Sequence, residues 1–256
     1  VASTDAALAA RLATEAGALL LAVRRDHSGV HEPGTGTREL RDTGDRAAHR
    51  FLAGELRRER PDDAVLSEEA PDDAARLAAS RLWIVDPLDG TREFAEGRDD
   101  WAVHVALWAG GDLVAGAVAL PGLDTTLVSE PAPEVPARRD GRVRIAVSRS
   151  RPPAVAEHVA RVLDAELVGV GSAGFKAAAV VRGEVDAYLH SGGQYEWDSA
   201  APVAVARAAG LHASRVDGSP LLYNQSDPYL PDLLVARPEL ADALLAAVAQ
   251  PVRSAR

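Results

Sequence analysis

The chain has 256 residues, 47% hydrophobic and 26% charged, enough for a sizeable core in one large or two modest soluble domains. Its net charge of -10 argues against a nucleic-acid polymer as partner, because no basic stripe exists to displace counterions, yet a small anion is admissible if bound cations reverse the local field. The absence of cysteine excludes disulfides, thiolate metal sites and cysteine nucleophiles.

Residues 4–27 carry apolar side chains at helical spacing (Leu8, Leu12, Ala16, Leu19, Leu20, Val23), with Asp5 as a candidate cap, which predicts a long amphipathic helix. No apolar run reaches membrane-spanning length, since Leu19-Leu20-Leu21-Ala22-Val23 stops at Arg24-Arg25-Asp26, so no membrane association is expected. The first residues show no signal-peptide pattern, and a cytoplasmic location is the expectation. Residues 28–37 contain Gly29, Pro33, Gly34 and Gly36 without periodicity and read as a mobile loop. A second helix is predicted over 45–60, burying Ala48, Phe51, Leu52 and Leu56 and stopping at Pro61. Val65-Leu66 reads as a short strand running into Ser67-Glu68-Glu69, and a helical turn covers 74–79.

The stretch Leu82-Trp83-Ile84-Val85-Asp86-Pro87-Leu88-Asp89-Gly90-Thr91 is the densest signal in the chain. Four apolar residues predict a buried strand that breaks into an oxygen-rich loop suited to a hard cation. Positions 86 and 89 of an extended run point to opposite faces, so the chain must turn between them if both carboxylates are to converge. Gly90 permits such a turn, and Thr91 with Arg92-Glu93-Phe94 opens a short helix whose free N–H groups suit an anion. A strand followed by an Asx turn with solvated aspartates is the plain alternative.

Downstream, apolar runs over 101–108 and 113–120 flank Gly110-Gly111-Asp112 and predict a hairpin, with a third antiparallel strand over 125–129. Pro131, Pro133 and Pro136, followed by Asp140-Gly141, mark a boundary that divides the chain into domains 1–140 and 141–256. Beyond it, strands (143–147, 166–170, 185–189) alternate with helices (153–164, 174–182, 197–209), and a last helix starts at Pro238. That alternation implies helices covering a largely parallel or mixed sheet.

Glu68, Asp86, Asp89 and Asp198 lie at or just beyond the ends of these elements. Each alone reads as an ordinary surface carboxylate. Together they form an all-oxygen set that fits magnesium better than zinc. The seven histidines show no metal-ligand spacing, and His104, inside a strand, reads as packing.

Four motifs in order, Ser67-Glu68-Glu69, Asp86-Pro87-Leu88-Asp89-Gly90-Thr91, Gly183-Glu184-Val185-Asp186-Ala187-Tyr188 and Trp197-Asp198-Ser199-Ala200-Ala201, resemble the inositol monophosphatase superfamily of lithium-sensitive, magnesium-dependent phosphatases. The resemblance runs from about residue 45 to 225 and implies a two-domain α+β and α/β layered αβαβα sandwich of the inositol monophosphatase and fructose-1,6-bisphosphatase type. It implies metal ligation by Glu68, Asp86, the Leu88 carbonyl, Asp89 and Asp198, with two or three Mg2+ ions. Water activated by the metal would attack phosphorus directly, and Asp45 with Thr91 would orient and deprotonate it. Asp45 also reads as a carboxylate favoured at a helix N-terminus. The loop before it departs from the superfamily pattern: Arg41-Asp42-Thr43-Gly44-Asp45 stands where Val-Thr-x-Ala-Asp is usual.

Thr91-Arg92-Glu93-Phe94, Ser148-Arg149-Ser150 and Gly171-Ser172-Ala173-Gly174-Phe175-Lys176 are similar to motifs of the 3'(2'),5'-bisphosphate nucleotidase branch, although Arg151 replaces that branch's histidine. The similarity implies a phosphomonoesterase that removes the 3'-phosphate of 3'-phosphoadenosine 5'-phosphate, a reaction of sulfur metabolism, with Gly90, Thr91, Arg92, Ser148, Arg149, Ser172, Lys176 and Asp198 touching substrate. Lys176, the only lysine, and Arg149 are candidates for a second phosphate, with a solvated lysine as the plain alternative. Residues 190–196 are expected to form a loop over the substrate, with Tyr195 either stacking on a base or packing in the core. Alternative substrates are an inositol monophosphate, a sugar bisphosphate or another nucleotide, and a non-catalytic metal and nucleotide sensor is the alternative of a different class. A homodimer is common in the superfamily, and the 101–120 hairpin offers it an apolar surface.

Overall fold

The computed structural model describes residues 4–28 and 36–250. The loop expected over 28–37 falls largely outside them. Among the described residues, two mixed five-stranded sheets and seven α-helices form five layers.

The outer layer holds α1 (Asp5–Ser28) and α2 (Thr37–Glu59). By length and hydropathy alone, residues 5–27 of α1 would suffice to cross a membrane, a test that a buried core helix also passes. Its stripe of Leu8, Leu12, Ala13, Ala16 and Leu20 is fully buried against α2 and the first sheet. Helix α2 begins eight positions earlier than the spacing predicted, because Leu40 and Gly44 extend the buried series Ala48, Leu52 and Leu56 by two turns. Gly44 is therefore no helix boundary. A Cβ there would lie 3.0 Å from Phe94 and 3.2 Å from Leu88, so the glycine lets α2 approach the central motif closely.

The first sheet contains β1 (Ala64–Ser67), β2 (Arg81–Asp89), β3 (Ala102–Ala109), β4 (Asp112–Leu120) and β5 (Thr125–Val128) in sequence order, with β1 and β2 parallel and the rest antiparallel. A short helix, α3 (Thr91–Ala95), follows β2. Side chains alternate between two cores. Trp83 and Val85 of β2 pack towards α1 and α2, whereas Leu82 and Ile84 pack the other way. The expected hairpin of β3 and β4 is present, but helices of the same chain cover both its faces, so it does not offer the apolar dimer surface expected of it.

The second sheet has the order β7-β6-β8-β10-β9, from β6 (Arg144–Ser148), β7 (Glu166–Val170), β8 (Ala187–Tyr195), β9 (His212–Ser214) and β10 (Tyr229–Ala236). Between the sheets lie α5 (Ala173–Val181) and α6 (Glu196–Ala208), buried on nearly every side. The far face carries α4 (Ala154–Leu163) and α7 (Pro238–Val248), which pack on Ile145, Val147, Leu189 and Leu234. Neither β9 nor β10 was expected. Pro231 and Asp232 mask β10 as a strand, and the irregularity between Leu230 and Asp232 accommodates the proline. Its partner β8 runs on through Gly192 and Gly193 to Tyr195, so residues 190–195 form a strand and not the expected substrate loop.

Candidate metal centre and active site

The site forms where β2 ends against the middle helical layer. On β2, Asp86 continues the face of Leu82 and Ile84. The register with β3 then slips: Asp86 pairs with His104 and Asp89 with Ala102, three residues against two. This bulge resets the alternation and returns Asp89 to the face of Asp86. Helix α6 brings Asp198 to the same point, so carboxylate oxygens of Asp86, Asp89 and Asp198 lie within 4.8 Å of one another. Among the described residues this is the one acidic or histidine cluster with the spacing of a metal site.

Electrostatics show what the cluster lacks. Burial raises Asp86 well above the ordinary carboxylate range, and Glu68, Asp89 and Asp198 raise it further. Burial, with Asp89, lifts Asp198 to about 7. Glu68, just past β1 at the mouth of the site, is lifted to about 7 by loss of solvent and by Asp89, Glu69 and Asp45, and it shares a hydrogen bond with Asp86. Hard oxygen donors crowded until they hold protons near neutral pH fit a divalent cation.

Asp89 behaves differently. Burial alone would raise it, but His104, Ser172 and Lys176 take it down to about 2. Its Oδ2 accepts from Ser172 Oγ at 2.5 Å and from Gly174 N at 2.6 Å, while Oδ1 accepts from Ala173 N at 3.1 Å. The start of α5 therefore grips a carboxylate of the first sheet. Ser172 holds φ 48° and ψ 142°, a conformation that costs energy for a residue with a side chain. Around it, Gly171 N donates to Asp100 Oδ2, itself held by Arg98 at 2.6 and 2.8 Å. Lys176 Nζ donates to the carbonyls of Ser172 and Gly171 from beneath, at 2.5 and 3.3 Å.

Lys176 thus departs from its expected place. It is 5% exposed, burial lowers its pKa, and its ammonium is bonded to the loop carbonyls. Arg149 is also engaged, donating to Glu93 at 3.0 Å and Glu96 at 2.9 Å and so tying β6 to α3. Ser148 Oγ accepts from Arg151 N. Arg92 and Arg151 are exposed and, among the described residues, form no ion pair.

Asp45 sits in the third turn of α2 and not at a helix N-terminus, so the dipole reading is withdrawn. Burial, followed by Glu69 and Asp42, raises it to about 7. Thr91 Oγ1 donates to the Leu88 carbonyl at 3.0 Å and not to Asp45. Gly90, at φ 88°, makes the turn into α3, where a Cβ would lie 3.0 Å from Ser172 Cβ. Tyr195 is half-exposed and stacks on Trp197 at 4.8 Å.

Sequence reasoning missed His104 and the Arg98–Asp100 pair. The signal for His104 was available in strand parity: it shares a face with Ala102 and Ala106, as Asp86 does with Ile84. Nothing local marks Asp100, whose partner Gly171 is 71 residues away.

The family model described as the inositol monophosphatase family matches residues 2–253. The chain belongs to the inositol monophosphatase family. Within that family it is 54% identical, over 96% of its length and 93% of the relative's, to the 3'-phosphoadenosine 5'-phosphate phosphatase of Mycobacterium leprae. It is 32% identical to the 3'(2'),5'-bisphosphate nucleotidase CysQ of Escherichia coli, over 73% of this chain and 80% of that one. The crystal structure of CysQ from Bacteroides thetaiotaomicron superposes with a TM-score of 0.77 at 27% identity, covering 90% of this chain and 96% of that one. The five-layer arrangement is thus the family's own.

Proposed function

We propose that the protein is a Mg2+-dependent phosphomonoesterase that cleaves the 3'-phosphate of 3'-phosphoadenosine 5'-phosphate, giving AMP and phosphate. The observation that carries this reading is the 54% identity, across nearly the whole chain, to a relative named for that activity. The carboxylate cluster supports the same chemistry.

Asp86, Asp89 and Asp198, with Glu68 at the mouth and the Leu88 carbonyl, would hold the cations. Bound there, divalent ions would neutralise phosphate charge and acidify water. Thr91 fixes the Leu88 carbonyl through its hydroxyl. Asp45, with a pKa of about 7, suits a general base near neutral pH: its carboxylate takes a proton from water as the water oxygen bonds phosphorus. The bond from phosphorus to the 3' oxygen breaks, and that oxygen takes a proton from solvent water and leaves as a hydroxyl.

Recognition of the second phosphate is reassigned. Lys176 supports the 171–174 loop from below, and Arg149 is bound to two glutamates. Arg92, exposed on α3 directly after the motif, is the cation we assign to the 5'-phosphate.

Product analysis tests the reading. Incubation of 3'-phosphoadenosine 5'-phosphate with the protein and Mg2+ should yield AMP, at higher kcat/KM than hydrolysis of inositol 1-phosphate. Adenosine 3'-phosphate as the product, or a preference for inositol 1-phosphate, would overturn it.

A further inference from the structure

His104 stands where ligands from the two sheets' elements meet. Its imidazole has no solvent exposure. Its Cα is paired with that of Asp86 across β2 and β3. Nδ1 lies 3.0 Å from the Trp197 carbonyl, an oxygen that can only accept, so Nδ1–H donates to the residue immediately before Asp198. On the other side of the ring, Nε2 lies 3.2 Å from Asp89 Oδ2. Gly174 closes the third side, where a Cβ would lie 1.9 Å from Nε2. The ring is therefore fixed by a carboxylate of the first sheet, the first turn of α6 and the first turn of α5.

Packing does not call for a histidine here. The neighbours on the same face of β3 are Ala102 and Ala106, and a small apolar residue would continue their pattern. Burying an imidazole costs free energy unless its nitrogens are satisfied. Nδ1 is satisfied by the Trp197 carbonyl, and Nε2 lies within ion-pair distance of Asp89, a member of the carboxylate cluster, without a well-formed hydrogen bond to it.

We propose that His104 is a positioning residue for the divalent-cation site, holding Asp89 and the Trp197–Asp198 turn at the one separation that lets both carboxylates reach the same ion. The proposal rests on the cation-binding reading of that cluster. Without the imidazole, Asp89 keeps its bonds to Ser172, Ala173 and Gly174, and α6 keeps its apolar packing through Ala200, Ala201 and Val203. The fold survives, while the separation of the two ligands loosens. Groups that orient metal ligands from behind typically change metal affinity about 10–100-fold.

The test is Mn2+ binding to the full chain, read from the electron paramagnetic resonance signal of free Mn2+ and requiring no substrate. Circular dichroism and thermal melting report the fold of each variant. The unaltered chain should bind Mn2+, and failure to do so would overturn the cation reading and the proposal with it. His104→Leu should lose at least about tenfold in affinity. It should also need correspondingly more Mg2+ for half-maximal turnover, with its substrate KM at saturating Mg2+ unchanged. His104→Gln, whose amide can still donate towards Asp89, should stay within about tenfold of the unaltered chain. A folded His104→Leu with Mn2+ affinity within about twofold of the unaltered chain would overturn the positioning role, whatever the result on substrate. If the leucine variant does not fold, His104→Ala, which continues the pattern of Ala102 and Ala106, is read against the same limits: folded with at least about a tenfold loss it upholds the role, and folded within about twofold of the unaltered chain it overturns it.

Discussion

Asp86 and Asp89 face the same side of β2 although an odd number of positions separates them, because one extra residue bulges out against β3. The bulge converts a strand end into a chelating pair. Asp89→Asn removes one ligand charge and keeps its size, but its single oxygen can accept from only one side of the α5 start, where both carboxylate oxygens now accept backbone N–H groups. Turnover should fall further than the roughly 10–100-fold typical of groups behind a ligand, with the circular dichroism spectrum unchanged. Wild-type turnover in that variant would remove Asp89 from the metal site.

Stability should depend on pH in a direction unusual for carboxylates. Asp45, Glu68 and Asp198 are raised to about 7 when folded, above the values of 3.8 or 4.5 they have when unfolded. The folded state then binds more protons than the unfolded chain, so stability falls as pH rises through 7. Asp89, lowered to about 2, acts oppositely but only in strong acid, and His190, lowered from 6.5 to about 4, acts oppositely between those two values and so offsets part of the fall just above pH 6. Cation-free protein should melt at a lower temperature at about pH 8 than at about pH 6, and Mg2+ should restore stability most at the higher pH. A melting temperature that rises over this interval without Mg2+ would contradict the crowding.

Lys176→Met removes an ammonium from two buried carbonyls and leaves an apolar chain of similar length. We expect a loss of about 1–3 kcal/mol from the unpaired carbonyls. The loosened 171–174 loop should weaken catalysis equally for a monophosphate and a bisphosphate. A loss confined to the bisphosphate would return Lys176 to direct phosphate contact.

Gly44→Ala should push α2 away from Phe94 and Leu88, since the added methyl lies 3.0 and 3.2 Å from them. Overpacking of this kind costs about 1–3 kcal/mol. Because Asp45 is the next residue, kcat should drop in the same variant, while Gly54→Ala, on the same helix with open space around it, should do neither.

The sheets, the helical layers and the carboxylates were legible where pattern is local. Alternation of Trp83 and Val85 against Leu82 and Ile84 marks a strand buried on both faces, and the Asp86-to-Thr91 motif announces its own loop. Local pattern misled where a long-range partner decides the outcome. Gly192 and Gly193 look like a loop until β10 pairs with Ser191 and Gln194 on either side of them, and Gly44 looks like a break until Phe94 packs against it. Lys176 and Arg149 look like phosphate ligands until carbonyls and glutamates 4 to 56 residues away claim them.

The most direct test of the account is phosphate release from 3'-phosphoadenosine 5'-phosphate by the unaltered protein, followed as Mg2+ is added to cation-free enzyme. The account predicts no release without Mg2+ and a saturable rise with it, with AMP accumulating in step with phosphate. Release at full rate in the presence of a chelator, or no release at any Mg2+ concentration, would contradict it.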